Sequence, residues 1–164
     1  MTDLRQTMVH GLQRFAKAVS IITTEHAGQR IAMTATAVCE VSLDPPTLLV
    51  CINDTASISR LIRDADSFTV NILSADQQDV ADACAGKLSG EDRFTVGRWI
   101  RHDRGNWVLD GAQASFLCTH AHRVPAGSHT VFVGRVNTVI VNDTVQPLVY
   151  VNRRYIALQP DELA

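Results

Sequence analysis

The 164-residue chain has no long apolar run and no excess of basic residues. No segment approaches the roughly 20 consecutive apolar residues that a membrane-spanning helix needs. The net charge of −2 argues against a nucleic-acid or membrane-surface partner, because both favour a basic face. The first ten residues contain neither an apolar core nor a cleavage site, so the sequence predicts no signal peptide.

Cysteine is scarce and its spacing is wide. No CxxC pair occurs among the four cysteines, which are Cys39, Cys51, Cys84 and Cys118. This usage favours reduced thiols and therefore a cytoplasmic location. Cys39 and Cys51 lie in strand-like runs, and we expect both to act as small core residues.

Several motifs that carry chemistry are absent. No GxGxxG, GxxxxGK[ST] or GxSxG sequence occurs, so neither a Rossmann fold, a P-loop nor a nucleophile elbow is supported. His120 and His122 share a strand face, but no third ligand is evident and a metal site is not predicted. Ser128 and His129 are neighbours at a hairpin tip, which is not the geometry of a catalytic triad.

The residues that are present predict one domain over residues 1–164. Helical spacing near the N-terminus predicts an amphipathic helix packed on a core, with Leu4, Met8, Leu12, Phe15 and Val19 on its apolar face. Strands are predicted at residues 19–24, 67–73, 115–124, 129–141 and 148–151, with a hairpin turn at residues 125–128. Short helices are predicted at residues 57–63 and from Ser74 to Gly86. This pattern favours a mainly β fold, an antiparallel barrel with two to three peripheral helices.

The most informative stretch is residues 31–53. It contains two strand-like runs, residues 31–41 and 47–52, which are separated by a turn ending in Pro45 and Pro46. Small side chains fill the first run and allow a flat or charged ligand to approach the backbone. Residues 53–57 then open a short helix, whose free N–H groups attract anions. A plain hairpin followed by a capped helix explains the same residues equally well.

The segment of residues 87–110 is irregular and locally basic. It carries Arg93, Arg98, Arg101 and Arg104 together with Trp99 and Trp107. As a nucleic-acid site it is weak, because the acidic remainder of the chain offsets it; the arginines could instead bind the phosphates of a dinucleotide. The two tryptophans need burial, and a second subunit could provide it.

Four segments in this order resemble the short-chain flavin reductases, the NAD(P)H:flavin oxidoreductase partners of two-component monooxygenases. The segments are residues 33–38, residues 45–50, Asn53 with Ser57, and residues 68–73. Gly127, Ser128 and His129 before a valine-rich strand, and Arg154 with Tyr155, extend the resemblance to nearly the whole chain. Order and spacing carry it, since no single motif is specific.

The resemblance implies a flavin-binding split β-barrel of Greek-key type and a homodimer. It implies flavin contacts at the ring edge, ribityl chain and phosphate from Met33, Thr34, Ala35, Thr36, Cys51, Ile52, Asn53, Ser57 and Asn71. Arg93 and Phe94 would lie near the adenosine end of FAD. His129 would position the nicotinamide, with Tyr155 lining the same pocket. Ser128 stands where many relatives carry Asp.

The function implied is reduction of FAD or FMN by NADH, with NADPH possible if Arg98, Arg101 or Arg104 binds a 2′-phosphate. The reduced flavin would leave for a partner monooxygenase or another acceptor. One alternative retains the flavin and reduces a second substrate such as a corrinoid cobalt. A further alternative is a non-catalytic flavin-binding barrel. Hydride transfer to a cofactor needs no catalytic carboxylate pair, and none is visible.

Overall fold

The computed structural model describes residues 3–102 and 106–158, and strands predominate among them. In chain order the elements are α1 (Leu4–Leu12), β1 (Lys17–Ala18), β2 (Ser20–His26), β3 (Gln29–Ala35), β4 (Val38–Leu43), β5 (Pro46–Asn53), α2 (Ile58–Asp64), β6 (Ser67–Ile72), α3 (Gln78–Asp82), a π-helical turn (Ala83–Lys87), a 3-10 helix (Gly90–Thr95), β7 (Trp99–Arg101), β8 (Trp107–Leu109), β9 (Ala114–Ala126), β10 (His129–Val141), β11 (Leu148–Val151) and β12 (Arg154–Ala157).

Seven strands form one antiparallel sheet in the order β3-β2-β6-β9-β10-β5-β4. The sheet curls into a barrel whose two edge strands, β3 and β4, do not pair with each other. A second sheet, β1-β11-β12, joins the N-terminal strand to the C-terminal hairpin, and β7 pairs with β8. The mainly β, split-barrel architecture predicted from the sequence is confirmed.

The predicted single strand over residues 31–41 is wrong, because the chain divides there into β3 and β4. Thr36 and Ala37 form the link, and the amide of Cys51 donates to the carbonyl oxygen of Ala37 at 2.9 Å. Strand periodicity continues through this link, so the break could not be predicted from the pattern of side chains. The chain leaves one edge of the sheet at Ala35 and enters the other at Val38, and this crossing brings the two edges together.

The core has two parts, which lie on the two sides of the sheet. The barrel interior is filled by a cluster that includes Ile22, Val50, Ile52, Phe68, Val70 and Phe132. A second cluster lies beneath α3 and the C-terminal hairpin and includes Val19, Ile21, Leu73, Val80, Leu109 and Leu148. The adjacent residues Ile21 and Ile22 of β2 therefore serve different clusters, as strand geometry requires.

The N-terminal helix is shorter than predicted, since α1 ends at Leu12 and leaves Phe15 and Val19 outside it, and it does not pack on the core. Asp3 caps it, with Oδ1 accepting from the amide of Arg5 at 3.0 Å. No residue of α1 is buried, and Leu4 and Met8 are 82% and 62% exposed. The apolar spacing is real, yet the described chain provides no surface to cover it.

The two tryptophans are half-buried within the chain itself. The ring of Phe94 lies 5.0 Å from Trp99 and 5.8 Å from Trp107, both edge-on. The guanidinium carbon of Arg30 lies 4.1 Å from the rings of Phe94 and Trp107. These cation–π contacts and the ring packing build a compact aromatic cluster outside the barrel.

The cysteines differ from the expectation that Cys39 and Cys51 are core residues. Cys39 is exposed and Cys51 is half-buried, whereas Cys84 and Cys118 are buried. Burial raises the pKa of the Cys84 thiol to about 11 and that of Cys118 to about 12. Both buried thiols therefore remain protonated at neutral pH and are poor nucleophiles.

The long hairpin of β9 and β10 has a shorter turn than predicted. Pro125 and Ala126 belong to β9, so only Gly127 and Ser128 form the turn. None of the helices in residues 3–102 and 106–158 is long and apolar enough to cross a membrane.

Candidate functional site

A cleft of about 450 Å³ opens where β3, the start of α2 and the C-terminal hairpin meet. Its walls are formed by Val19, Met33, Thr34, Thr36, Ala56, Ser57, Cys84, Ala85, Arg93, Tyr150 and Tyr155. The volume falls within the range of about 300–1,000 Å³ that is usual for small-molecule sites. We call this the main cleft.

Arg93 is the cationic centre of the main cleft and is 7% exposed. Its Nε donates to the carbonyl oxygen of Leu88 at 2.9 Å, and its Nη1 donates to the carbonyl oxygen of Ala32 at 2.6 Å and to Ser57 Oγ at 3.2 Å. No described residue accepts a hydrogen bond from Nη2. The guanidinium is thus held rigidly while two of its five N–H groups remain available to a ligand.

The edge strand β3 presents backbone groups to the same cleft. Because β3 pairs only with β2, alternate residues turn their N–H and C=O groups outward. The carbonyl of Ala32 faces outward to Arg93, so the backbone groups of Thr34, two residues on, lie on that side too. The side chain of Thr34 donates to the carbonyl oxygen of Ala81 at 2.6 Å and fixes α3 against the strand.

Two tyrosines close the opposite side of the main cleft. Tyr150 and Tyr155 face each other across the β11–β12 hairpin, with ring centroids 5.3 Å apart. Desolvation raises the pKa of Tyr155, which keeps its phenol neutral at physiological pH. The wall is therefore an uncharged aromatic surface with hydroxyl donors, suited to a flat conjugated ring.

These groups fit a flavin nucleotide. The free N–H groups of Arg93 beside Ser57 match a phosphate ester, which prefers cationic and hydroxyl donors. The outward backbone of β3 and the tyrosine pair provide polar and aromatic contacts for a planar ring. A larger groove of about 750 Å³ lies along β4 and β5. Its lining is mostly apolar, and the cation among its described lining residues is Lys17 rather than a buried arginine. Of the two cavities, the main cleft therefore matches a flavin nucleotide better.

The structure brings six of the sequence-predicted residues together in the main cleft: Met33, Thr34, Thr36, Ser57, Arg93 and Tyr155. Others lie elsewhere. Ala35 and Ile52 are core residues, and Cys51 lines the larger groove. Phe94 belongs to the aromatic cluster with Trp99 and Trp107.

Asn71 is fully buried and its side chain is saturated with hydrogen bonds inside the protein. Its Nδ2 donates to the carbonyl oxygens of Ile21 and Trp107 at 3.3 and 3.4 Å. Its Oδ1 accepts from the amide of Leu109 at 3.1 Å and from Ser115 Oγ at 2.7 Å. This amide joins β2, β6, β8 and β9, and it does not line the main cleft.

Asn53 and His129 lie side by side at one end of the barrel, as Cα partners in the β5–β10 pair. Asn53 Oδ1 accepts from the amide and the hydroxyl of Thr55, both at 2.9 Å. Ser128 Oγ lies 2.9 Å from His129 Nδ1. A hydroxyl at that nitrogen can accept or donate, so the contact with Ser128 is compatible with either tautomer of the imidazole.

A polar network ties the His129 hairpin to the loop that precedes α2. Asp54 Oδ1 accepts from Thr130 Oγ1 at 2.7 Å and pairs with Arg63 Nη2. The amide of Asp54 also donates to the carbonyl oxygen of Ser128 at 3.0 Å. The loop that carries Ser57 and the hairpin that carries His129 therefore form one connected structure.

Five lining residues of the main cleft were not predicted as such from the sequence: Val19, Ala56, Cys84, Ala85 and Tyr150. Tyr150 could have been predicted from the sequence, because a two-residue turn at Asn152 and Arg153 places it directly opposite Tyr155, which was predicted. Both turn residues have positive φ, 48° and 62°, as a tight hairpin requires. Cys84 and Ala56 reach the cleft only through tertiary packing and had no such signal.

Two of the arginines considered for phosphate binding are paired with carboxylates. Arg98 Nη1 lies 3.3 Å from Asp110, and Arg101 Nη2 lies 2.9 Å from Glu25. The hydrogen bond from Arg101 is the main reason that the pKa of Glu25 is lowered. Arg104 lies outside the described residues.

Comparison with known proteins identifies relatives over nearly the whole chain. A family described as "Flavin reductase like domain" matches residues 12–159. The chain is 41% identical over 155 residues to the reductase component of an FADH(2)-dependent resorcinol hydroxylase from a Rhizobium species, covering 93% of this chain and 87% of the relative. It is 37% identical over 152 residues to the NADH-dependent FMN reductase RutF of Stutzerimonas stutzeri, with the same coverages of 93% and 87%.

A solved structure agrees with the sequence matches. The NADH:FAD oxidoreductase SgcE6 of Streptomyces globisporus, determined with NAD and FAD fragments, superposes with a TM-score of 0.90. It is 25% identical, and the match covers 98% of each chain.

Proposed function

Because the chain belongs to the flavin reductase family, we propose that it is an NADH-dependent flavin reductase that supplies reduced FAD or FMN to another protein. The observation that carries this proposal is the family match over residues 12–159. The main cleft supports it, since one wall carries a phosphate-binding cation and the other an aromatic surface. The relative named as part of a resorcinol hydroxylase favours a monooxygenase as acceptor.

The flavin, when bound, supplies the ring that accepts the hydride; the chain supplies position and charge. Arg93 and Ser57 would bind its phosphate at one end of the cleft. Met33, Thr34 and Thr36 would lie along the ring, where outward backbone N–H groups of β3 would donate to its polar edge. Tyr155 would cover part of the ring and exclude water from that side.

Anaerobic mixing of the protein with NADH and either FAD or FMN tests this function. The absorbance of NADH and of oxidised flavin should fall together, at a rate proportional to protein concentration. The matched control omits the protein. Constant absorbance of both compounds would rule out reductase activity and leave a flavin-binding barrel.

His129 is the residue that we assign to positioning the nicotinamide. Replacing it with alanine should slow hydride transfer about tenfold or more, because a small displacement of the donor carbon is costly. Flavin affinity should change little, since His129 does not line the main cleft. Single-turnover kinetics measure the first quantity and fluorescence titration the second. His122→Ala, in the exposed part of the same hairpin, is the control, and equal rates in both variants would remove His129 from the site.

We also propose that the chain is a homodimer. Leu43 is 90% exposed and Val141 is 69% exposed, and the larger groove beside β4 is apolar. Exposed apolar surface of this extent is typical of a protein interface. Sedimentation equilibrium at micromolar concentration should give twice the mass of one chain, and a monomer mass would contradict the proposal.

We place the reaction in the cytoplasm. The four cysteines are unpaired and Cys39 is exposed, a state that a reducing compartment maintains. Exposure of Cys39 to an oxidising compartment would yield disulfide-linked chains. Thiol titration of protein isolated under non-reducing conditions should therefore find Cys39 free.

A further inference from the structure

Two arginines that reach in opposite directions hold the 3-10 helix (Gly90–Thr95) against β3. Arg93 reaches from the helix to the strand, where its Nη1 donates to the carbonyl oxygen of Ala32 at 2.6 Å. Arg30 reaches from the strand to the helix, where its Nε donates to Glu91 Oε2 at 2.8 Å. Arg93 lines the main cleft and Arg30 does not, so Arg30 acts on a ligand there through the helix rather than by contact.

The guanidinium of Arg30 lies in a notch between two aromatic rings. Its Cζ is 4.1 Å from the ring centroids of both Phe94 and Trp107, and these rings are 5.8 Å apart and inclined at 61°. A cation this close to two rings gains cation–π attraction in addition to its ion pair. The side chain of Arg30 is 25% exposed, so solvent screens these contacts less than it screens a fully exposed ion pair. Glu91 and Phe94 lie on either side of Arg93 in sequence, so Arg30 holds the helix on both sides of that residue.

The notch itself is fixed to the seven-stranded sheet. Trp107 Nε1 donates to Glu25 Oε2 at 2.7 Å, and the carbonyl oxygen of Trp107 accepts from Thr23 Oγ1 at 2.6 Å. Thr23 and Glu25 both belong to β2. Glu25 is the Cα partner of Arg30 in the β2–β3 pair, so the register of these strands sets where the guanidinium meets the ring. The helix that carries Arg93 is thereby tied to two paired strands rather than to a loop.

The 3-10 helix depends on such external contacts because its own hydrogen bonds are weak. It has six residues, and 3-10 hydrogen bonds have poorer geometry than those of an α-helix. The side chain of its N-cap residue, Ser89, makes no capping hydrogen bond. Gly90 at its start has a φ of 52° and Gly97 beyond its end has a φ of 79°, conformations that glycine adopts with little strain. Side-chain contacts with neighbouring elements therefore determine where the helix lies, and with it the guanidinium of Arg93.

We propose that Arg30 is a positioning residue for recognition of the flavin phosphate. By holding the 3-10 helix on β3, it keeps the free N–H groups of Arg93 directed at the phosphate beside Ser57. Charge-assisted hydrogen bonds to a phosphate depend on geometry, so a small shift of the helix weakens them. This assignment rests on the proposed function, because the phosphate is that of the flavin. It implies that the preference for FMN over riboflavin, which lacks the phosphate, depends on a side chain outside the cleft.

Arg30→Met tests the proposal, because methionine keeps much of the length and apolar contact of arginine but neither its charge nor its donors. The Kd of FMN should rise about tenfold, and the Kd of riboflavin should stay unchanged. Fluorescence titration measures both constants. Arg98→Met is the matched control, because Arg98 is also paired with a carboxylate, that of Asp110 at 3.3 Å, and does not line the main cleft. The control should bind FMN and riboflavin as the unsubstituted protein does.

The same substitution made in the Arg93→Met variant separates positioning from direct contact. Since Arg30 acts through Arg93, removing Arg30 should have no further effect on FMN affinity once the Arg93 guanidinium is gone. A purely structural role would not give this dependence. Arg30→Lys covers the case in which the methionine variant does not fold, because lysine keeps a cation beside the rings but not the planar guanidinium. It should raise the Kd of FMN about threefold, again with riboflavin unchanged.

Three results would overturn the proposal. They are unchanged FMN affinity in the Arg30 variants, an equal loss of FMN and riboflavin affinity, and a full further loss of FMN affinity when Arg30 is removed from the Arg93→Met variant. The second result would mean that Arg30 serves the fold alone, and the third that it contacts the ligand independently of Arg93. Failure of the reductase function itself would appear separately, as no oxidation of NADH by the unsubstituted protein, whereas the flavin affinities need no turnover.

Discussion

Replacing Arg93 with methionine is expected to weaken FMN binding about 100-fold, which corresponds to about 2.7 kcal/mol. The guanidinium is the cation of the main cleft, and three of its N–H groups are already used to hold it in place. Methionine has similar length but no donor, so the phosphate loses its charged partner. Fluorescence titration of FMN measures the affinity.

The same substitution leaves the carbonyl oxygens of Ala32 and Leu88 without a donor, so stability must be followed alongside affinity. Arg93→Lys is the second variant to measure, because lysine keeps the positive charge but cannot make all three hydrogen bonds to Leu88, Ala32 and Ser57. Binding by the lysine variant should lie between the other two. Riboflavin, which lacks the phosphate, should bind the folded methionine variant and the unsubstituted protein alike. A folded methionine variant with unchanged FMN affinity would place the phosphate elsewhere.

Gly134→Ala is expected to destabilise the fold by about 3 kcal/mol. A Cβ at this position would lie 2.5 Å from Cζ and 2.7 Å from Cε1 of Phe68, and 2.8 Å from Cβ of Cys118. Phe68 is fully buried in the barrel core and cannot move aside without displacing its neighbours. Urea denaturation measures the free energy of unfolding.

The control for this substitution is Gly11→Ala in α1, where an added Cβ meets nothing within 4 Å. That variant should be neutral or slightly stabilising, since alanine is the better helix former. Combining Gly134→Ala with Phe68→Leu should recover part of the loss, because the smaller side chain vacates the clashing volume. An alanine variant as stable as the unsubstituted protein would show that the barrel is loosely packed at this point.

The strands of the barrel could be predicted from the sequence because their signal is local. The run of β-branched residues that forms β2 and the alternation of apolar and polar residues that forms β6 each appear within a few residues of sequence. The break at Thr36 and Ala37 could not be predicted, because it is imposed by the need to join opposite edges of one sheet. The unpacked face of α1 shows the same limit, since helical spacing predicts a face but not its partner.

The residues of the candidate site could likewise be predicted only where their signal is local in the sequence. Met33, Thr34, Thr36 and Ser57 belong to a contiguous region whose small and hydroxyl side chains indicate a ligand from sequence alone. Asn71 was also predicted to contact the ligand because it is polar. Its side-chain amide instead makes its hydrogen bonds to groups inside the protein, where four strands meet. Whether a buried amide serves a ligand or the fold depends on neighbours that are distant in sequence.

The pairing of β1 with β11 joins residues that are distant in sequence, with Lys17 opposite Tyr150. Tyr150 and Tyr155 lie in the β11–β12 hairpin, which belongs to a three-stranded sheet separate from the seven-stranded one. Local opening of this small sheet would therefore remove the tyrosine wall of the main cleft while the strands of the seven-stranded sheet stay paired.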